Sequence, residues 1–377
     1  MKPAYSEMQR RSTGLPAFPW DALVPYRSQA LIHPDGLIDL SVASPVDPTP
    51  IVVTSALASY ANAPAYPPGD GLSSVREAAV AWMRRRFGVV DVTVDDVVPV
   101  AGTKELLAWL PTMLNVKPGD VIAAPNPTYP SYIAGCRLAQ AELQYLTADK
   151  RSDSTTKIAF LNSPHNPSGV IASRDELVAT VLWARNNGII LISDECYLEF
   201  CWEGQPVSLL HPDVCQGSLD NLLVVHSLSK RSNMAGYRAG ILAGDPDLIK
   251  ELQMIRKHLG SSVPLPVQAA MTAAFNDDAH VEAQRKLYRI RRRILASALT
   301  RAGWTISSSQ GGLSLWASHA GLDCWDSTSI LARKGILVAP GGCFSPEGSA
   351  FIRVSLTATD EQITSAARRL YGDGVKE

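Results

Sequence analysis

An extended stretch at 95–100 and short apolar runs at 121–124, 158–161, 188–193, 222–225 and 239–242 constrain this chain more than any other feature it carries. They are bounded by turn residues and separated by stretches of helical period. Strands that are apolar throughout, without polar alternation, are covered on both faces. Helical patterns fall between them: Leu106, Leu107 and Leu110 recur after Gly102, and 175–187 repeats the same period. Upstream, Ser74 and Glu77 have the spacing of a capping box, and Gly88 is placed to end the helix they open near Phe87. This alternation predicts an α/β fold with a mostly parallel central sheet and helices on both faces.

The last third of the chain reads differently. A long helix is predicted over 279–302, with Leu287, Ile290 and Ile294 on one stripe. Strand-like pieces at 313–316, 336–339 and 351–356 and a helix at 359–370 follow, the pattern of a smaller α+β domain. A chain of 377 residues is long enough for two domains. The expected division is an N-terminal segment 1–48 packed with the small domain, a large domain 49–285, and a small domain 286–377. With 46% hydrophobic and 19% charged residues the chain is globular, and a net charge of −1 offers no field for nucleic acid. The clusters Arg84–Arg85–Arg86 and Arg291–Arg292–Arg293 read as solvated helix faces. Six cysteines without metal-ligand spacing point to reduced thiols and a cytoplasmic protein. Arg10-Arg11 is followed by no hydrophobic segment, and no apolar run is long enough to cross a bilayer.

Chemistry concentrates in "SLSKRSNMAGYRAG" at 227–240. Lys230 follows Ser227 and Ser229, lies at the carboxyl end of an apolar run, and precedes Arg238. A lysine amine can form a Schiff base with a carbonyl cofactor, while hydroxyls and a guanidinium hold a phosphate dianion. Pyridoxal phosphate needs both. Other strand ends supply candidates for the same group. Gly102-Thr103-Lys104 opens a helix whose free N–H groups can take a phosphate, although many α/β turns look alike for packing reasons. Asp194, after "GIILIS", is either a helix cap or the partner of a pyridine nitrogen, and Tyr197 three residues on can donate its hydroxyl to a phenolate oxygen. Asn166 in "NSPHNPSG" serves turn geometry or donates to that same oxygen. Tyr129 in "PNPTYPSY" fills core or stacks on a ring. Alternation places Ile352, Val354 and Leu356 on one strand face and Arg353 on the other, where a substrate carboxylate or a structural salt bridge would pair it.

Taken together, Tyr66, Gly102, Tyr129, Asn166, Asp194, Tyr197, Lys230, Arg238 and Arg353 resemble the signature of fold-type I aminotransferases, in order and spacing, along nearly the whole chain. The segments "GTKELLAWLP", "SDECYLEF" and "LHPDVC" resemble actinobacterial N-succinyldiaminopimelate aminotransferases. The resemblance implies a pyridoxal-phosphate enzyme in which Lys230 carries the cofactor, Asp194 pairs its ring nitrogen and Arg238 holds its phosphate. It implies that Arg353 grips the substrate α-carboxylate and that Tyr66 reaches the phosphate of a partner subunit, hence a homodimer. The implied reaction passes an amino group from L-glutamate to N-succinyl-2-amino-6-ketopimelate, with small amino and oxo acids as substrates. Two departures stand out: Ala43 where many members have glycine beside the substrate carboxylate, and Ala101 in place of a serine at the phosphate loop. A general aspartate or aromatic aminotransferase, a decarboxylase or a carbon–sulfur lyase would keep Lys230, Asp194 and Arg238 unchanged. A regulator with a degenerate domain of this kind would be expected to carry an N-terminal DNA-binding helix-turn-helix, where only about 40 residues precede "DLSVASPVDP", and an intact Lys230 argues against it.

Overall fold

β-Branched and small apolar residues form the strands, and their ends converge on one edge. A computed structural model of the chain describes residues 14–15, 17–146 and 155–371; Arg10-Arg11 and the outer ends of segments 1–48 and 286–377 lie outside them. Its strands are β1 (Ile38–Leu40), β2 (Val97–Val100), β3 (Val121–Ala124), β4 (Glu142–Tyr145), β5 (Thr156–Asn162) and β6 (Ile190–Asp194). They continue as β7 (Leu222–Ser227), β8 (Gly240–Gly244), β9 (Trp304–Ser308), β10 (Ser314–His319), β11 (Ile336–Pro340) and β12 (Phe351–Ser355).

Seven strands form one sheet in the order β2-β8-β7-β6-β5-β3-β4. The pairs β3–β4, β3–β5, β5–β6 and β6–β7 are parallel, and β8 runs antiparallel between β7 and β2. Because β8 opposes both neighbours, β2 points the same way as β7. The carboxyl ends of β2, β3, β5, β6 and β7 therefore share one edge, where open α/β sheets place their ligands. Helices cover both faces, and two apolar clusters fill the space beneath them: one holds Val97, Leu191, Leu222 and Val224, the other Val98, Ile122, Ile192 and Val225. Adjacent residues of a strand thus belong to different cores, which is why these runs lack polar alternation.

The second sheet has the order β1-β11-β12-β10-β9. β1 pairs parallel with β11, Ile38 beside Ile336, and the other pairs are antiparallel. Ile352, Val354 and Leu356 enter its core and Arg353 faces away from it, as alternation requires.

Four local expectations need correction. The helix Ser73–Phe87 starts two residues early: Leu72 is its cap, no side chain caps it, and the Leu72 N–H donates to Gln268 Oε1 at 2.7 Å. A glutamine from a distant helix takes the place of the Ser74–Glu77 box, whereas Gly88 ends the helix at φ 68° as expected. The reciprocal box that does form joins Ser173 and Glu176 at the helix Arg174–Asn186. Asp95 and Asp96, expected to be extended, fall instead in the 3₁₀ turn Val94–Asp96 capped by Thr93. On the helix Ala279–Arg301 the buried stripe is Val281, Gln284, Tyr288, Arg291 and Leu295, while Ile290 is 47% exposed. The arginine clusters are consequently more than solvated faces: Arg291 is buried between Asp47 and Asp360, and Arg86 pairs Glu199 and Glu282.

Candidate active site

At the end of β2 the chain turns through Gly102, at φ 88°, into the helix Thr103–Met113. No side chain caps that terminus, so its first N–H groups remain available to an anion. The positive φ of Gly102, with ψ 142°, strains any L side chain and is what requires glycine here; the missing Cβ also leaves Arg238 Nη2 room to approach the turn. Arg238 holds its position through Nη1, which donates to the Ala235 carbonyl at 2.9 Å. Opposite, Ser227 Oγ accepts from the Ser229 N–H at 3.1 Å and caps the short helix Leu228–Arg231 that carries Lys230. Lys104 lies over the Phe18 ring at 4.7 Å, and burial together with the Arg238 charge lowers its pKa.

Asp194 ends β6 as a buried carboxylate. Its Oδ2 accepts from the Tyr132 hydroxyl at 3.0 Å and its Oδ1 from the Cys196 N–H at 3.2 Å, while Asn162 Nδ2 donates to its carbonyl at 2.8 Å. Burial raises its pKa, and the hydrogen bonds from Cys196 and Tyr132 oppose that shift. Tyr132 is fully buried and stacked on Phe160 with centroids 4.4 Å apart, which packs the ring that holds the carboxylate. Thr103 Oγ1 and Cys196 Sγ, 3.4 Å apart, join the phosphate-type turn to the Asp194 segment.

The Lys230 amine donates to the Ala43 carbonyl. Burial first, then the charges of Arg353 and Arg238, bring its pKa down from 10.5 to about 8. An amine in that state is a competent nucleophile and proton carrier near neutral pH. Burial pushes the Tyr129 hydroxyl up to about 12, and Tyr197 is raised still further. Both phenols therefore remain hydrogen-bond donors.

Arg353 stands apart. It is 3% exposed; Nη1 donates to Asn166 Oδ1 at 2.9 Å and Nη2 to the Ser41 carbonyl at 2.8 Å. Nε has no partner among the described residues, and no carboxylate there forms an ion pair with it. The competing structural salt bridge is thus not made. Instead its guanidinium lies 5.0 Å from the Phe344 ring centroid and 5.8 Å from that of Trp20, and desolvation lowers its pKa. Asn166, expected at a phenolate oxygen, uses its side-chain oxygen for Arg353 and anchors its own N–H on Asn162 Oδ1 at 2.7 Å.

The fold therefore gathers Gly102, Thr103, Asp194, Lys230 and Arg238 on one edge, with Ser41 and Ala43 joining Arg353 to Lys230. Tyr66 lies away from them and is 98% exposed. Tyr132, Asn162, Cys196 and the aromatic pair Phe18–Trp20 escaped the sequence reading. Only Tyr132 had a signal there, as a second tyrosine one helical turn past Tyr129. A primary amine, a buried carboxylate, a helix N-terminus and a guanidinium form a donor set that fits pyridoxal phosphate. The cradle left by the missing Cβ of Gly102 beside Arg238 fits its phosphate.

The family model described as "Aminotransferase class I and II" matches residues 35–370. The chain is 52% identical over 359 residues to the 4-dedimethylamino-4-oxo-anhydrotetracycline transaminase OxyQ of Streptomyces rimosus, covering 94% of this chain and 99% of that one. It is 48% identical over 362 residues to a probable aminotransferase of Mycobacterium tuberculosis, covering 95% and 86%. The solved structure of N-succinyldiaminopimelate aminotransferase from Mycobacterium tuberculosis matches with a TM-score of 0.82 at 26% identity, covering 92% of this chain and 98% of that one.

Proposed function

The chain belongs to the class I and II aminotransferases, a pyridoxal-phosphate-dependent family, and from that premise we propose that it moves an amino group from L-glutamate to N-succinyl-2-amino-6-ketopimelate. The observation that carries the donor half of this reading is Arg353, a buried guanidinium without a counter-charge among the described residues. Such a group is expensive to bury and is relieved by a bidentate carboxylate. Glutamate, 2-oxoglutarate and the acyl amino acid all carry one beside the reacting carbon.

The residues divide the work. Gly102, Thr103, Lys104, Ser227, Ser229 and Arg238 would hold the phosphate, Asp194 would keep the ring nitrogen protonated, and Tyr129 would pack on the ring. Tyr197 and Asn166 donate to the phenolate oxygen. The cofactor, when bound, supplies a carbonyl for Lys230 and a cationic ring that withdraws charge from the substrate Cα. Lys230 would take the Cα proton as general base and pass it to the cofactor's C4′ as general acid. Arg353 orients the Cα–H bond by fixing the carboxylate, and Ala43 bounds the space beside it. Tyr66, exposed in one chain, extends to the phosphate of a second copy, so the active unit is a homodimer in the cytoplasm. On the same footing we divide the chain at residues 48 and 285, the latter inside the helix Ala279–Arg301.

The succinylated acceptor is supported by the matched enzyme of that name. A second reading rests on a different observation. Phe18 and Trp20, with centroids 5.7 Å apart, run from Lys104 toward Arg353 and meet Phe344, giving an aromatic wall suited to a planar, apolar acceptor. The 52% identical relative is named for an amination of a polycyclic ketone. A half-reaction screen decides between them. Holoenzyme is mixed with N-succinyl-LL-diaminopimelate, free diaminopimelate, aspartate, aromatic amino acids, an aminated polycycle and cysteine conjugates, and conversion of the cofactor to its amine form is followed by absorbance. The first reading requires the specificity constant to fall when the succinyl group is removed. Preference for the polycycle supports the second, and preference for aspartate or an aromatic amino acid indicates a general aminotransferase. Release of pyruvate and ammonia from a cysteine conjugate indicates a lyase.

A further inference from the structure

Beneath the site, on the side away from Arg353, lies a buried ion pair that no step above uses. Arg231 directly follows Lys230, and its Nε is 2.6 Å from Glu199 Oε2, with the two side chains 3% and 4% exposed. Glu199 belongs to the segment that leaves β6 at Asp194 and carries Tyr197. The pair therefore joins the two strand ends that present the amine and the ring partner. Both members are held from outside. Glu199 Oε1 accepts from Trp82 Nε1 at 3.3 Å and from Arg86 Nε at 3.0 Å. Arg231 donates to the Ala274 carbonyl at 2.5 Å and to Ser232 Oγ at 3.1 Å, reaches Asp278 at 3.3 Å, and lies over the rings of Trp82 and Phe275. Arg231 and Glu199 also line, with Glu195 and His226, a cavity of about 10 Å³, room for a single water molecule.

We propose that Arg231 and Glu199 are positioning residues that set the separation between the Lys230 amine and the Asp194–Tyr197 pair. Burying two charges gives no advantage in stability over a well-packed apolar pair, so stability alone does not account for them. What the pair supplies is a fixed, planar geometry across a junction where the chain makes only a short helix, Leu228–Arg231. A displacement of about 1 Å at a reacting group is enough to cost about a hundredfold in rate.

The inference rests on Lys230 and Asp194 acting as assigned above, so the experiment first tests that premise. Borohydride reduction of the wild-type holoenzyme and peptide mapping must find the cofactor on Lys230. A label elsewhere removes the earlier reading and this one with it. Given a label on Lys230, two holoenzyme variants are compared with wild type: the apolar pair Arg231→Met with Glu199→Leu, and Arg231→Lys, which keeps charge and loses the planar fork. We expect kcat for glutamate to fall about tenfold or more with KM unchanged, and the pH midpoint of the cofactor absorption band to shift, at a thermal midpoint near that of wild type. If the apolar pair does not fold, Arg231→Lys is read alone against the same criteria. A kcat within threefold of wild type together with an unmoved pH midpoint overturns the proposal while leaving the assignment of Lys230 intact.

Discussion

Two buried arginines of this chain, Arg291 and Arg353, are almost equally hidden, 2% and 3% exposed, and live in opposite electrostatic surroundings. Arg291 projects from the helix Ala279–Arg301 onto Asp47, with two contacts of 2.7 Å, and onto Asp360 at 2.6 Å. Burial opposes its charge, but the two carboxylates more than compensate and raise its pKa. Arg353 projects from β12 onto an amide oxygen, a backbone carbonyl and two aromatic rings, and burial lowers its pKa. Each guanidinium has five donors. In the first, Nε, Nη1 and Nη2 all meet carboxylates; in the second, no carboxylate among the described residues pairs with it. Burial alone does not distinguish a structural group from a functional one, whereas the identity of its partners does.

That contrast orders the expected effects of mutation. The largest belongs to the amine beside Arg353. Lys230→Ala lowers turnover by about 10⁴-fold or more while the melting temperature stays near wild type, and an added small amine restores part of the rate. Turnover near the wild-type rate without added amine would remove Lys230 from the mechanism. Next is Arg291→Ala, which strands Asp47 and costs about 3–5 kcal/mol of stability with kcat/KM per folded molecule unchanged. Arg353→Ala does the reverse: kcat/KM for glutamate falls about a hundredfold, the loss of a charge-assisted pair, and denaturation midpoints do not fall. If both variants lost stability alike, the distinction between the two arginines would fail.

A smaller effect is carried by pH. Burial would raise the Asp47 pKa, but hydrogen bonds from Arg291 and Gln284 hold it below the ordinary 3.8. A depressed carboxyl pKa gives stability that is complete above the unfolded value and is lost as pH falls through the folded one. Thermal scans of wild type and Asp47→Asn should therefore differ at pH 7, begin to draw together as pH falls below about 3.8, and meet only below the lowered folded value. The smallest difference separates two serines. Ser173→Ala costs about 1 kcal/mol because its side chain caps a helix, while Ser74→Ala leaves stability within about 0.5 kcal/mol.

Why the sequence misplaced that cap is instructive. Ser74 and Glu77 had the right spacing, but the helix start was decided by Gln268, 196 residues from Leu72 and invisible to any local pattern. The sheet edge was legible because strand ends are local: Gly102, Asp194 and Lys230 each follow their own apolar run. The stripe of the long helix was not, since it includes a buried charge whose partners, Asp47 and Asp360, are remote in sequence. For Arg353 the strand face was readable from alternation. Its lack of a carboxylate was not, because an unmade contact has no sequence signal.

The helix Ala279–Arg301 also has a mechanical role to play. Near its first turn, His280 bonds Ser232 at 2.9 Å and Asp278 reaches Arg231, both next to Lys230. Farther along, Tyr288, Leu295 and Leu299 enter the core beneath the strand of Arg353. Its 23 residues form a strut about 35 Å long. Tilting it by about two degrees at one end moves the other by about 1.2 Å, comparable with the tolerance of a reacting pair. One rod thus ties the segment that follows the amine to the core beneath the guanidinium.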